Sequence, residues 1–303
     1  MALHEIPLER RTLHGHFSRA LEPILTVEPG DAIAFACLTS GWDTAERDDF
    51  PGRDDVLDAG HALVGPVEVR GARAGQALVI RIDEVRVGSW GVTFGGGFDT
   101  PLNDRLGVAD GERVVLDWEL DAAAGIGRAG THAVALEPFL GVIGLPPAEP
   151  GVHPTAPPRR TGGNIDCKEL VAGTTLYLPI ALEGALLSAG DGHAAQGDGE
   201  VSQLAIEAPV ERAQLTLDVR DDLALEWPIA RTPDAWLTFG FDEDLDEAAA
   251  IAIDGMLELM AREHALERRE ALALASVVVD LRVTQLVNGA RGVHARLAHN
   301  ALR

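Results

Sequence analysis

Short apolar runs, broken at regular spacing by turn-forming residues, constrain this chain more than any other feature. Ile24-Leu25-Thr26-Val27 leads into Glu28-Pro29-Gly30-Asp31, and Ala32-Ile33-Ala34-Phe35-Ala36 resumes. The same grammar returns further on. Gly65-Pro66-Val67-Glu68-Val69-Arg70 alternates, Ala74-Gly75-Gln76 turns, and Ala77-Leu78-Val79-Ile80-Arg81-Ile82 follows. Proline fixes φ and glycine reaches backbone conformations closed to other residues, so such clusters end strands. Strands at this spacing predict a mainly β protein with a sandwich- or barrel-like body.

The pattern changes in the last third. Ala248, Ile251, Ala252, Met256 and Met260 recur at helical spacing, within a helix signal from Glu243 to Leu274. Asp246 and Glu247 suit the positive end of a helix dipole. A second helix is expected over Arg268 to Leu281, and Trp236 to Phe241 alternates like a strand. The expected layout is a β-rich body over residues 1–210 carrying the active site, and a C-terminal α/β portion over residues 211–303. Gly41 to Gly60, Gly91 to Gly111 and the proline-rich Pro146 to Gly163 read as long loops, which in compact domains are often functional.

A chain of 303 residues can bury a substantial core. Its net charge of −23, with no basic block, argues against a nucleic-acid partner. No stretch approaches the roughly 20 apolar residues of a membrane span. Two cysteines, Cys37 and Cys167, suit a reducing compartment, and Met-Ala-Leu-His-Glu carries no export pattern, so a cytoplasmic protein is expected. A homo-oligomer is the expected assembly.

Candidate chemistry concentrates between Gly190 and Glu200, where Asp191, His193, Asp198 and Glu200 are separated by glycines and small residues. Such a run is poor material for a core strand and suits a site where a small polar molecule meets the backbone. Asp191 and His193 are two apart, so an extended chain points them the same way, and Asp198 and Glu200 share that relation. A turn through Ala194 to Gly197 would join the pairs. On spacing alone, a metal or proton-transfer site and a glycine-rich turn whose acids cap backbone N–H groups fit equally well. Asn164 and Asp166 alternate beside Gly162 and Gly163, as a substrate contact or an Asx turn. His61 follows an Asp-rich loop, and His14 and His16 share a face if extended.

Several segments together resemble the acetamidase/formamidase family. They are Gly162-Gly163-Asn164-Ile165-Asp166, Leu176-Tyr177-Leu178-Pro179, Glu183-Gly184-Ala185-Leu186 and the Gly190–Glu200 run. Val27–Asp31, His61 with Gly65-Pro66-Val67, Pro138–Gly144 and Asp280–Gln285 extend the likeness along nearly the whole chain. Ala74-Gly75-Gln76 departs from the family at one turn. The resemblance implies hydrolysis of short-chain or small cyclic amides to a carboxylate and ammonia or an amine. It also brings a divalent metal into question, zinc first and calcium as the alternative.

Motif and resemblance together give these expectations. His193, Asp191 and His61 hold the metal. Glu200, His193 and Asp166 are catalytic, with a metal-activated water attacking the amide carbonyl. Asn164, Gln196 and Gly163 contact the substrate. An enzymatic alternative uses Cys167, beside Lys168 and Glu169, as nucleophile. A non-catalytic β protein that binds a small ligand is the alternative outside enzymes.

Overall fold

The computed structural model describes residues 1–54 and 56–302. Strands dominate and assemble into three sheets, none of which closes into a barrel. The nine-stranded sheet runs, from one edge, Leu3–Ile6, Ala32–Cys37, Val210–Arg220, Ala77–Val87, Thr175–Pro179, Ile229–Arg231, Ala235–Asp242, Ala290–Ala298 and Val279–Asn288. It takes strands from both sides of residue 210 and pairs Thr175–Pro179 with Ile229–Arg231 in register. A six-stranded sheet contains Gly162–Asn164, Phe139–Gly144, Leu187–His193, Leu63–Val69 and Leu13–His14, with Leu25–Val27 paired in parallel to Leu63–Val69. Four antiparallel strands, Trp90–Gly95, Val114–Asp121, Ile126–Ala129 and His132–Ala135, make the third.

Alternation sorts the strands as expected. In Ala77–Val87, Leu78, Ile80 and Ile82 are buried while Arg81 is exposed. These side chains share a core with Val64, Val67, Leu140, Ile143 and Leu187 of the six-stranded sheet. Each large aliphatic side chain removed from water there contributes about 1.5–3 kcal/mol. A second core lies under the helices, where Ala248, Ala252, Met256 and Met260 pack on Val293, Ala295 and Leu297.

The helix Leu245–His264 begins where the sequence placed its charge. Asp244 caps it, its carboxylate accepting from the Asp246 and Glu247 backbone N–H groups. Three expectations change. The first helix stops at His264 instead of running to Leu274. The second helix ends at Val278, and Val279–Asn288 is a strand. The β-branched run Val277-Val278-Val279, followed by alternating Leu281 and Val283, favours extended chain there. The segment Gly91 to Gly111 is also more than a loop, because it includes most of a strand and the short helix Pro101–Leu106.

The glycine-rich run departs furthest from expectation. Leu187–His193 is buried at every position and is a central strand of its sheet. The glycines are there for space. A Cβ on Gly190 would stand 2.3 Å from the Ala62 carbonyl oxygen, and one on Gly192 would stand 2.3 Å from Val210 Cγ2. Neighbouring chains thus approach where any larger residue would hold them apart.

Candidate active site

Strand Leu187–His193 delivers Asp191 and His193 to one face, next to Phe139–Gly144. The His193 ring stands edge-on to Phe139, with centroids 5.0 Å apart, which fixes its plane. His193 Nε2 lies 3.4 Å from Asp191 Oδ2 and 3.2 Å from Glu207 Oε1. Glu207 comes from a segment bridged to both His193 and Val92. Its other oxygen accepts from Ser40 Oγ at 2.8 Å.

Asp166 follows strand Gly162–Asn164 and closes on the same face. Its backbone N–H donates to the Gly141 carbonyl, and its own carbonyl accepts from Gln196 Nε2 at 2.8 Å. Asn288 Nδ2 donates to Asp166 Oδ2 at 2.6 Å and approaches Glu200 Oε2 at 3.4 Å. Glu200 is held by main-chain bonds around Gly199, whose N–H donates to Thr284 and whose carbonyl accepts from Leu286. Asp166, Asp191 and Glu200 have φ of 51°, 62° and 46°. Three acids in the left-handed region store backbone strain, and such strain collects at functional sites.

Two trios have ligand-type atoms within 4.8 Å of one another: Asp166, Asp191 and His193, and His193, Glu200 and Glu207. All are buried. Asp166 Oδ1, Asp191 Oδ1 and His193 Nδ1 are buried without hydrogen-bond partners among the described residues. Buried polar atoms are rarely left so. One imidazole among carboxylates is a donor set that fits a divalent cation, and those orphaned atoms are what such an ion would satisfy.

The electrostatics follow from crowding. Burial, then the neighbouring Glu200, pushes the Asp166 carboxyl well above the usual carboxylate range. Burial, opposed by His193 and aided by Glu207 and Asp191, lifts Glu200 to about 7. Burial would also lift Asp191, but His193 and, further off, His61 outweigh it and hold Asp191 at about 2. Burial opposes charge on His193, yet the carboxylates of Glu207 and Asp191 prevail and raise its pKa well above the ordinary value.

The structure brings together His193, Asp191, Asp166, Glu200 and Gln196. It does not bring His61 into either trio, because that ring engages Thr155 Oγ1 at 2.7 Å. Asn164 pairs in register with Val142, on the strand face opposite Gly141, and its Nδ2 donates to the Ala156 carbonyl. Gly163 pairs with Ile143 on the same strand. Asp198 turns outward to Lys168 at 3.3 Å. His14 contacts Ser188 and the His16 carbonyl instead, and burial lowers it to about 4. Cys167 is buried and its thiol is pushed up by that burial, the reverse of an activated nucleophile. A cavity of about 550 Å³, lined by Ser40, His16, His61, Thr155 and Ala156 among others, borders the cluster at the Ser40–Glu207 contact.

Glu207, Asn288 and Gly141 were not anticipated. A lone carboxylate inside Ala205-Ile206-Glu207-Ala208 was the available signal for the first. Asn288-Gly289 reads only as a hairpin turn. Gly141 lies within the family-like segment Pro138–Gly144 with no role expected of it, yet a Cβ there would stand 2.5 Å from Asp191 Oδ2 and 2.7 Å from Asp166 Oδ1.

A family model described as the acetamidase/formamidase family matches residues 4–152 and 148–235. A putative formamidase of Schizosaccharomyces pombe is 25% identical over 251 residues, covering 64% of this chain and 60% of that protein. An acetamidase of Mycolicibacterium smegmatis is 25% identical over 255 residues, 62% of this chain and 61% of that one. These alignments thus span less than two thirds of the curated relatives' length. The crystal structure of an acetamidase from Bacillus halodurans superposes with a TM-score of 0.85 at 28% identity, over 97% of this chain and 98% of that one. A gamma lactamase from Delftia acidovorans, at 19% identity and a TM-score of 0.65, shares the fold. The chain belongs to the acetamidase/formamidase family.

Proposed function

We propose that this protein hydrolyses the C–N bond of small amides, giving a carboxylate and ammonia or an amine, at the cluster around His193. The observation that carries the reading is the buried set of Asp166, Asp191, His193, Glu200 and Glu207 with orphaned ligand atoms, in a chain of this family.

Amide hydrolysis needs an activated water, a polarised carbonyl and a proton for the departing nitrogen. In this reading His193, Asp191 and Asp166 hold a divalent cation, zinc in the first instance. A divalent cation there would polarise the carbonyl and make a water more acidic. Glu200 is the group that takes a proton from water and delivers it to the leaving nitrogen. A carboxyl lifted to about 7 suits both tasks near neutrality. Asn288 holds the Asp166 and Glu200 carboxylates side by side. Gln196 and Gly163 remain substrate-side candidates, with Asn164 behind them.

Metal analysis combined with ammonia release from formamide and acetamide tests the proposal. Turnover that disappears with chelator, survives thiol alkylation and is lost in His193→Ala is expected. Full activity in His193→Ala would remove its assigned role. Alkylation that abolishes turnover would restore Cys167.

A further inference from the structure

The long loop Gly41 to Gly60 takes no part in the chemistry at His193, yet it walls the cavity of about 550 Å³ that borders the cluster. That cavity meets the cluster at two places. Ser40 lines it and donates to Glu207. His61 lines it as well and stands two residues before Leu63, which pairs with Gly190 next to Asp191. Acetamide has four heavy atoms and fills on the order of 100 Å³, scaled from about 30 Å³ for a water. The cavity therefore holds several times what the smallest amides occupy, which is room for a substrate with a tail.

Charge says what that tail carries. The chain has 48 acidic residues against 25 lysines and arginines, yet no carboxylate among the described residues lines this cavity. Arg53 does line it, and its guanidinium is held in place. Nε donates to the Asp58 carbonyl at 2.9 Å, and Cζ stands 5.6 Å from the centre of the Trp42 ring. Its two terminal nitrogens have no acceptor among the described residues. The acids beside it are already engaged. Asp58 pairs with Arg10 and accepts from the Gly15 and Asp54 N–H groups, while Asp54 accepts from those of Val56 and Leu57. His61 adds a second donor. The Thr155 hydroxyl accepts from the His61 backbone N–H, so its own proton goes to His61 Nδ1 and the ring hydrogen sits on Nε2. His16 donates from Nδ1 to the Leu57 carbonyl and brings no negative charge. A fixed guanidinium, a further N–H and no acid together suit a carboxylate, which a guanidinium binds through two parallel N–H bonds.

We propose that this cavity receives the tail of the substrate and that Arg53 binds a carboxylate on it, so that amides carrying a second, anionic group are hydrolysed in preference to neutral amides of the same shape. This rests on the amide-hydrolysis reading above. It gives the loop Gly41 to Gly60 a direct part in substrate choice.

The carboxylate can sit on either side of the C–N bond, so the test uses two pairs of substrates with the full chain. Succinamate is compared with levulinamide by ammonia release, and N-acetylglycine with N-acetylaminoacetone by release of the amine. In each pair a methyl ketone replaces the carboxylate. The native protein should favour the anionic member of at least one pair by about tenfold or more in kcat/KM, the scale of a hydrogen bond to a charged group. Arg53→Met should bring that ratio close to one, and Arg53→Lys should keep part of it. Arg73→Met removes the same charge outside this cavity and should leave the ratio as it is. No preference in either pair overturns the proposal, and so does a preference that Arg53→Met leaves intact. Both results leave amide hydrolysis standing if formamide or acetamide still releases ammonia. Product from none of these amides removes the hydrolysis reading and the proposal with it. Should Arg53→Met fail to fold by circular dichroism, Arg53→Gln carries the comparison.

Discussion

Gly141→Ala is the sharpest perturbation the site offers. Gly141 lies in strand Phe139–Gly144 with ordinary φ, so alanine is compatible with its backbone. The glycine is needed for room. The added methyl would stand 2.5 Å from Asp191 Oδ2, 2.7 Å from Asp166 Oδ1 and 2.8 Å from His193 Cε1. Ordinary contact needs roughly 3.3 Å or more, so each group must retreat by about 0.5–0.8 Å. None retreats easily: Asp191 and His193 are on a buried central strand, and Phe139 backs the imidazole. Displacement approaching 1 Å of reacting groups lowers turnover on the order of 100-fold. Overpacking costs about 1–3 kcal/mol, which in a chain of this size lowers Tm on the order of 5 °C. The expected variant is folded, loses most bound metal, and releases ammonia from acetamide at about one hundredth of the native rate. Gly95→Ala is the control, since nothing lies within 4 Å of its added Cβ. Native turnover in Gly141→Ala would refute the idea that these three side chains form the working site.

Other expectations are more direct. Dialysis against a chelator should abolish turnover and lower Tm, and a divalent cation added back should restore both, because an ion that binds only the folded state stabilises it. Cys167→Ser should keep native kcat/KM within about twofold, and the native protein should resist iodoacetamide until it is unfolded, since burial pushes that thiol up. Glu169 tests pH dependence away from the cluster. Burial would raise its pKa, but His294, Arg282 and Arg296 outweigh it and hold it at about 2, below the ordinary 4.5. A depressed carboxylate pKa gives stability above pH 4.5 that is lost as pH falls towards 2. Glu169→Gln should therefore be less stable than native by about 1–2 kcal/mol at pH 7, after allowance for solvent screening, with the gap closing below pH 4 in urea melts.

The sheets were legible because their cause is local. Alternation in Ala77–Val87 and turn residues at Pro29-Gly30 act over a few positions, and the structure has strands where they predict them. The capped start at Asp244 was legible for the same reason. The strand at Gly190–His193 was misread because its glycines reflect neighbours that are remote in sequence, Ala62 and Val210. No window along the chain holds that information. The site divides in the same way. Asp191 and His193 share a face by simple alternation, whereas Glu207 and Asn288 arrive through a bridge at residue 207 and a hairpin at Gly289. His61 sits in a promising motif, yet its bond to Thr155 depends on a proline-rich segment 94 residues away.

Charge explains why the cluster is arranged this way. Asp166, Asp191, Glu200 and Glu207 are buried together, and none forms an ion pair with lysine or arginine among the described residues. Among the described residues, His193 is the one cationic side chain within ion-pair distance of these carboxylates. Burying carboxylates without compensation costs several kcal/mol each. Burial and the neighbouring acids raise Asp166 and Glu200, so crowding in the protein alone favours their neutral forms and lowers that cost. A divalent cation would supply the missing charge and meet the orphaned oxygens at the same time. The strained φ values and the space kept at Gly141 point the same way. A chain selected for stability alone would fill that space with a methyl and replace the acids with aliphatic side chains. Keeping four acids at left-handed or buried positions around one imidazole costs stability, and the proposed amide hydrolysis at this cluster is a function that would offset that cost.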